Sequence, residues 1–195
     1  MIVLYLNMEL KYVPVTYDNI IQATEFQMKL FPDYCGFLSY EKAIKKQRPY
    51  FLIYNEQDQL VGTAGVNISE SLGETNTAWL GWYGVDPNHR KMGYGKQILL
   101  DMFNQARAMG CDTLRLYTSA VLCPEAMILY HKMMDIGEPY DLEEKHLQRW
   151  VFTKSLVPGR AATPWGNRSL RLDLEAQRCK EALQAFQAYR EKVAK

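Results

Sequence analysis

Long apolar runs are missing: no stretch of the 195 residues approaches the roughly 20 that a membrane helix needs, so no membrane partner is expected. Cysteine is sparse. Cys35, Cys111, Cys123 and Cys179 lie far apart with no paired spacing, which disfavours a disulfide framework or a zinc ribbon and favours reduced thiols in a cytoplasm. Charge imbalance is also lacking, since 23 basic against 22 acidic residues leave a net +1 and demand no polyanionic partner. His89, His131 and His146 make no metal-ligand pattern; all three read as surface or partly buried residues, and no metal is expected. No internal repeat or low-complexity run appears. The opening MIVLYLNMEL is apolar but has neither a basic leader nor a small-residue cleavage site, so it does not read as a secretory signal. What remains is 48% hydrophobic and 23% charged, the balance of a soluble intracellular globular chain of one domain, or one domain with an appendage.

Periodicity then gives the elements. Lys11–Thr16 reads as a strand edged by Pro14, and Asp18 as the cap of a helix carrying Ile20, Ile21, Thr24, Met28 and Phe31 up to Pro32. A short helix is predicted over Tyr40–Lys46. Tyr50–Tyr54 and Leu60–Ile68 flank the turn Asn55–Asp58 as a hairpin. Ser69–Asn76 is turn-rich, and Ala78–Val85 is an aromatic strand ended by Pro87. Ile98, Leu99, Met102, Phe103 and Ala106 form the stripe of the clearest helix, Gly95–Met109, with Gly110 as its C-terminal cap. A strand Leu114–Thr118 follows. Pro124 suits the first turn of a helix with Ala126, Leu129, Tyr130 and Met133, and Trp150–Ser155 is a last strand. The order is that of a mixed α/β domain over 1–156 with at least one strand–helix–strand unit. Residues 157–169 read as a Pro/Gly-rich linker or lid. Residues 170–195 read as an amphipathic helix with Leu172, Ala176, Cys179, Leu183, Phe186 and Val193 on one face, packed on the domain or on a partner subunit.

Chemistry is concentrated after the aromatic strand. Arg90-Lys91-Met92-Gly93-Tyr94-Gly95-Lys96 leads from a turn straight into the strong helix. Two glycines let the backbone approach a ligand, free N–H groups at the helix start point at it, and Arg90, Lys91 and Lys96 add positive charge. A pyrophosphate or phosphate ester is the natural guest. A Walker loop would need Ser or Thr where Gln97 stands, and a dinucleotide fingerprint would need glycine at Ile98.

This segment resembles the GNAT superfamily of acyl-CoA-dependent N-acyltransferases, whose Gln/Arg-x-x-Gly-x-Gly/Ala follows a strand ending Val-x-Pro; here these are Arg90–Gly95 and Val85-Asp86-Pro87. The family's Asn-x-x-Ala-x-x-x-Tyr-x-Lys helix has its counterpart in Cys123, Ala126, Tyr130 and Lys132. Two departures stand out. Cys123 replaces Asn, and Met134-Asp135 replaces a closing Gly-Phe, from which the helix is expected to run on to Gly137. The resemblance covers roughly 11–156. It implies a central, mostly antiparallel mixed sheet with a splayed fourth and fifth strand and flanking helices.

The resemblance also implies acetyl-CoA as cosubstrate. Backbone groups of Tyr83, Gly84 and Val85 would meet the pantetheine arm, and amides of Arg90, Lys91, Met92, Gly93, Tyr94, Gly95 and Lys96 would hold the pyrophosphate. Tyr130 would be the general acid toward the departing thiolate, in direct transfer to a small-molecule or peptide amine. Some members carry a base, Glu, six residues before the strand valine, where this chain has Trp79. Glu70, Glu74, Asp33, His131 and a relayed water remain open as bases. Cys123 has no identifiable His partner and is not read as a nucleophile. The acceptor pocket would draw on Tyr34, Phe37 and Tyr40, with Trp79 and Trp82 facing them and Arg160 and Trp165 as a lid; ordinary core filling is the equal alternative for these aromatics. A non-catalytic acyl-CoA sensor is the alternative. Residues 154–195 carry 9 basic and 4 acidic residues, but with few aromatics and interspersed acids they favour packing or a homodimer over nucleic acid.

Overall fold

The computed structural model describes residues 9–68, 74, 76–139, 148–166 and 173–194, with backbone alone over 173–178. Along these residues run β1 (Lys11–Pro14), α1 (Ile20–Leu30), α2 (Phe37–Lys45), β2 (Tyr50–Tyr54), β3 (Leu60–Ile68), β4 (Thr77–Val85), α3 (Tyr94–Ala108), β5 (Thr113–Ser119), α4 (Pro124–Met133), β6 (Ile136–Pro139), β7 (Arg149–Ser155) and α5 (Asp173–Val193). The strands follow the order β1-β2-β3-β4-β5-β7-β6 in a seven-stranded sheet. β1 with β2, β2 with β3, β5 with β7 and β6 with β7 pair antiparallel. β4 and β5 are parallel, and their ladder runs from Thr77↔Thr113 only to Trp79↔Arg115 although β4 continues to Val85. This is the mixed, mostly antiparallel sheet with a splayed central pair that the resemblance implies.

The chain divides into two compact units. One holds β1, α1, α2, β2, β3 to Gly65, β4 from Trp82, α3 to Leu100 and α5 from Cys179; the other holds the rest. In the first, Ile20, Ala23 and Phe26 of α1, Phe37 and Tyr40 of α2, Tyr50 and Leu52 of β2, and Ala182 and Phe186 of α5 share one core. Phe37 meets Phe186 and Tyr189 at ring-centroid distances of 5.6 and 5.2 Å. The face of α5 that packs is therefore Ala182, Ala185, Phe186 and Tyr189, while Leu183 and Val193, expected on it, are exposed. Leu172 and the side chain of Ala176 lie outside the described residues.

Several local expectations shift. Asn19, not Asp18, stands at the N-terminus of α1, and its side chain serves the preceding turn instead of the helix: Oδ1 accepts from Thr16 N at 2.8 Å and Nδ2 donates to Pro14 O at 2.9 Å. α2 begins at Phe37, ahead of the predicted Tyr40. α4 stops at Met133 and does not reach Gly137, because Asp135 N already donates to Thr153 O and Ile136–Pro139 joins β7 as a strand. Asp135 secures that change of direction, its carboxylate accepting from Lys154 Nζ at 2.5 Å and Ser155 N at 2.8 Å.

In the second unit, residues from the predicted linker are tied to the sheet. Trp165 is buried, its N–H donates to Glu138 Oε2 at 2.6 Å, and its ring meets Trp79 edge-on with centroids 6.3 Å apart. Arg160 pairs with Asp112 at 2.9 Å.

Candidate active site

The end of β4 departs from strand geometry. Trp82 has φ +48°, the left-handed region that a bulky L residue rarely adopts. Beyond it, Asp86 is almost fully buried and ties three elements together. Its N–H donates to Val61 O at 2.8 Å, its Oδ1 accepts from Asn88 N at 2.9 Å to close the single turn Pro87–His89, and its Oδ2 accepts from Lys29 Nζ of α1 at 2.5 Å. Burial pushes the Asp86 carboxyl up, but the Lys29 ammonium and the Asn88 N–H outweigh it and hold the group below its ordinary value. His89 lies within this turn, its Nδ1 3.7 Å from Asp86 Oδ1 and its ring 6.3 Å from that of Tyr94.

The loop that follows has two left-handed residues, Lys91 at φ +64° and Gly93 at φ +92°. Left-handed residues alternating with others are the pattern from which anion nests are built. Arg90, Lys91, Met92 and Lys96 are exposed around it, and α3 starts immediately at Tyr94. Arg90 Nε donates back to Val85 O at 3.3 Å. Gly95, expected as the first residue of the helix, lies inside the first turn of α3, where its carbonyl accepts from Tyr83 Oη at 2.6 Å. Burial pushes the Tyr83 phenol up. The structure thus brings Tyr83, Gly84, Val85 and Arg90–Lys96 together in one unit, as a strand end facing a helix start through a cationic nest.

Residues 17–134 match the model of the GNAT acetyltransferase family. The chain belongs to that family. No curated protein sequence matches it. Among solved structures, the yncA protein of Salmonella typhimurium, solved with its cofactor acetyl-CoA, is similar at 16% identity with a TM-score of 0.59, over 82% of this chain and 99% of that one. A spermidine N-acetyltransferase chimera of Vibrio cholerae SpeG and hSSAT has 16% identity and a TM-score of 0.60, over 75% and 95%. A GNAT-family acetyltransferase of Staphylococcus aureus has 15% identity and a TM-score of 0.59, over 76% and 100%. At these identities the likeness is one of fold.

The other candidates are dispersed over both units. Tyr130 is buried on α4, its ring 5.5 Å from Phe152, and His131 is exposed beside Trp150 and Phe152. Glu74 pairs with the buried Arg115 at 2.9 Å, whereas Asp33 is exposed. Glu70 and His146 lie outside the described residues. Phe37 and Tyr40 are 2% and 0% exposed, so they fill the core of the first unit and do not line a pocket. Trp79, also buried, meets Trp165. Trp82 instead meets Phe31, with centroids 6.0 Å apart. Sequence reading missed the fastening roles of Asp86 and of the Tyr83 hydroxyl. Asp86 carries a usable signal, since an Asp before Pro with an Asn two residues on is the pattern of a side-chain-closed turn.

Proposed function

We propose that the chain is an N-acetyltransferase that transfers an acetyl group from acetyl-CoA to a primary amine of a small molecule or peptide. The observation that carries this reading is the set of left-handed residues, Trp82 within β4 and Lys91 and Gly93 between β4 and α3, in a stretch the GNAT family model covers. The nest, the helix start and the exposed cations suit the pyrophosphate of CoA. The distorted end of β4 leaves backbone groups of Tyr83–Val85 for the amides of the pantetheine arm, as an added strand would use them. An amine attacks the thioester carbonyl directly, and a backbone N–H of the β4 end stabilises the developing oxyanion. Tyr130 serves as general acid to the departing thiolate. Amine acceptors are the class to screen, a choice supported by the spermidine acetyltransferase among the structural relatives.

A thermal-shift titration with acetyl-CoA, CoA, NADH and ATP tests the cradle. Acetyl-CoA and CoA alone raise Tm of the wild type by mass action, and the Gly93→Asp/Gly95→Asp variant loses the shift. No shift with CoA in the wild type sinks the assignment. In an amine panel, Tyr130→Phe lowers the rate about tenfold or more, the scale of a general acid; an unchanged rate removes Tyr130 from catalysis. Binding of CoA with no turnover of any amine would favour an acyl-CoA sensor, a reading that Trp79 in the place of a base supports.

A further inference from the structure

We propose that the Tyr83 side chain is a positioning element of the cofactor cradle, its hydroxyl fastening the first turn of α3 to the kinked end of β4. This rests on the reading of that cradle given above, but concerns a side chain for which that reading has no use.

The geometry begins at Trp82. With φ +48° there, the strand is kinked and the residues beyond it are re-aimed. The Trp82 indole goes toward the end of α1. It meets Phe31, and a Cβ on Gly36 would lie 3.2 Å from its Cε2 and Nε1. Gly84 faces the same neighbours, since a Cβ there would lie 3.0 Å from Leu30 and Phe31. Tyr83, between them, reaches α3 instead, and its Oη donates to Gly95 O at 2.6 Å. Tyr83 is half-buried, and its bond to Gly95 lies partly away from water, where a hydrogen bond holds geometry more firmly than at the surface.

Gly95 is where such a bond has consequence. The first N–H groups of a helix have no partner within the helix, and they are the groups that an anion at its N-terminus uses. Gly93, with φ +92°, allows the chain many ways into α3, and Gly95 has no side chain to anchor the turn. The Gly95 carbonyl is left with a second lone pair beyond its helical bond. The phenol takes it, and thereby sets the orientation of the turn before any ligand arrives. Preorganisation of this kind appears as affinity for the phosphates and leaves the chemistry at the thioester untouched.

The test is calorimetric binding of CoA to the wild type and to Tyr83→Phe, with amide hydrogen exchange followed along α3 and α5. The expected result is about fivefold weaker CoA binding in the variant, the scale of one neutral hydrogen bond. Exchange quickens over Gln97–Leu99, the first amides of α3 with helical partners, and stays as in the wild type in α5, which also reports that the variant is folded. In steady state, KM for acetyl-CoA rises by more than kcat falls. Tyr83→Leu, which removes ring and hydroxyl together, binds CoA no better than Tyr83→Phe. If wild type and Tyr83→Phe bind CoA equally, the inference falls and the acetyltransferase reading stands. Equal loss of protection in α3 and α5 also overturns it, as the hydroxyl would then be supporting the fold at large. Absence of CoA binding to the wild type overturns the functional reading and this inference with it.

Discussion

At the scale of single residues, the clearest constraint is steric. Gly65 of β3 stands directly across from Tyr50 of β2, and a Cβ at that position would fall inside the Tyr50 ring. Tyr50 cannot swing away cheaply, because its ring packs edge-on against the fully buried Tyr40 at 5.4 Å. Gly65→Ala therefore costs about 1–3 kcal/mol, the range for overpacking a core, and denaturant unfolding reads it as a lower midpoint at unchanged slope. Stability equal to the wild type would show that the ring relocates. Residue identity alone carried part of this site. Gly93 was legible because a glycine before a helix with flanking cations has a physical use. Trp82 was not, since an aromatic residue in an apolar strand gives no hint of a left-handed conformation. Phe37 and Tyr40 stayed open between pocket lining and core filling because an aromatic in a helix looks the same in sequence whether it faces a ligand or, as here, Phe186 and Tyr50.

At the scale of elements, Asp86 shows how a turn is held by charge. It joins the end of β4, the turn Pro87–His89 and α1, and its carboxyl lies below its ordinary value. A depressed carboxylate contributes stability in full above the unfolded value of about 3.9, and the contribution is lost as pH falls through the lower folded value. Asp86→Asn keeps the shape but not the charge. It should cost about 1–2 kcal/mol near neutrality, discounted from a fully buried pair because Lys29 is 57% exposed. The difference between wild type and variant should shrink in acid; a difference that is constant with pH would mean that the pair contributes packing alone. Element types were readable wherever periodicity was long, as in α3, β2 and β3. Ends were less so. The α4 pattern gave no stop before Gly137, because the cause of termination is non-local: the backbone of Asp135 pairs with Thr153 and its carboxylate with Ser155, partners far along the chain.

For the molecule as a whole, the mixed, mostly antiparallel sheet was expected because the resemblance that implies it rests on local motifs, whereas the packing face of α5 depended on which helix it meets. That core sets an upper limit on pH. Tyr50 and Tyr40 are both buried, and burial pushes the Tyr50 phenol up to about 12 and Tyr40 further in the same direction. A phenol harder to ionise when folded than unfolded stabilises the fold fully below the unfolded value of about 10, and that stability declines as pH rises from there through the folded value. Alkaline unfolding should thus set in above about pH 10. Phenolate absorbance should rise in two stages, exposed tyrosines first and the buried ones together with loss of helical ellipticity. Tyr50→Phe removes one of the driving ionisations while keeping the ring against Tyr40, so its alkaline midpoint should move upward. An unmoved midpoint would place the weak point at another group. If buried phenols ionised with the ellipticity intact, water would have to reach the core formed by α1, α2, β2 and α5, and the close packing of Phe37 against Phe186 and Tyr189 argues against that.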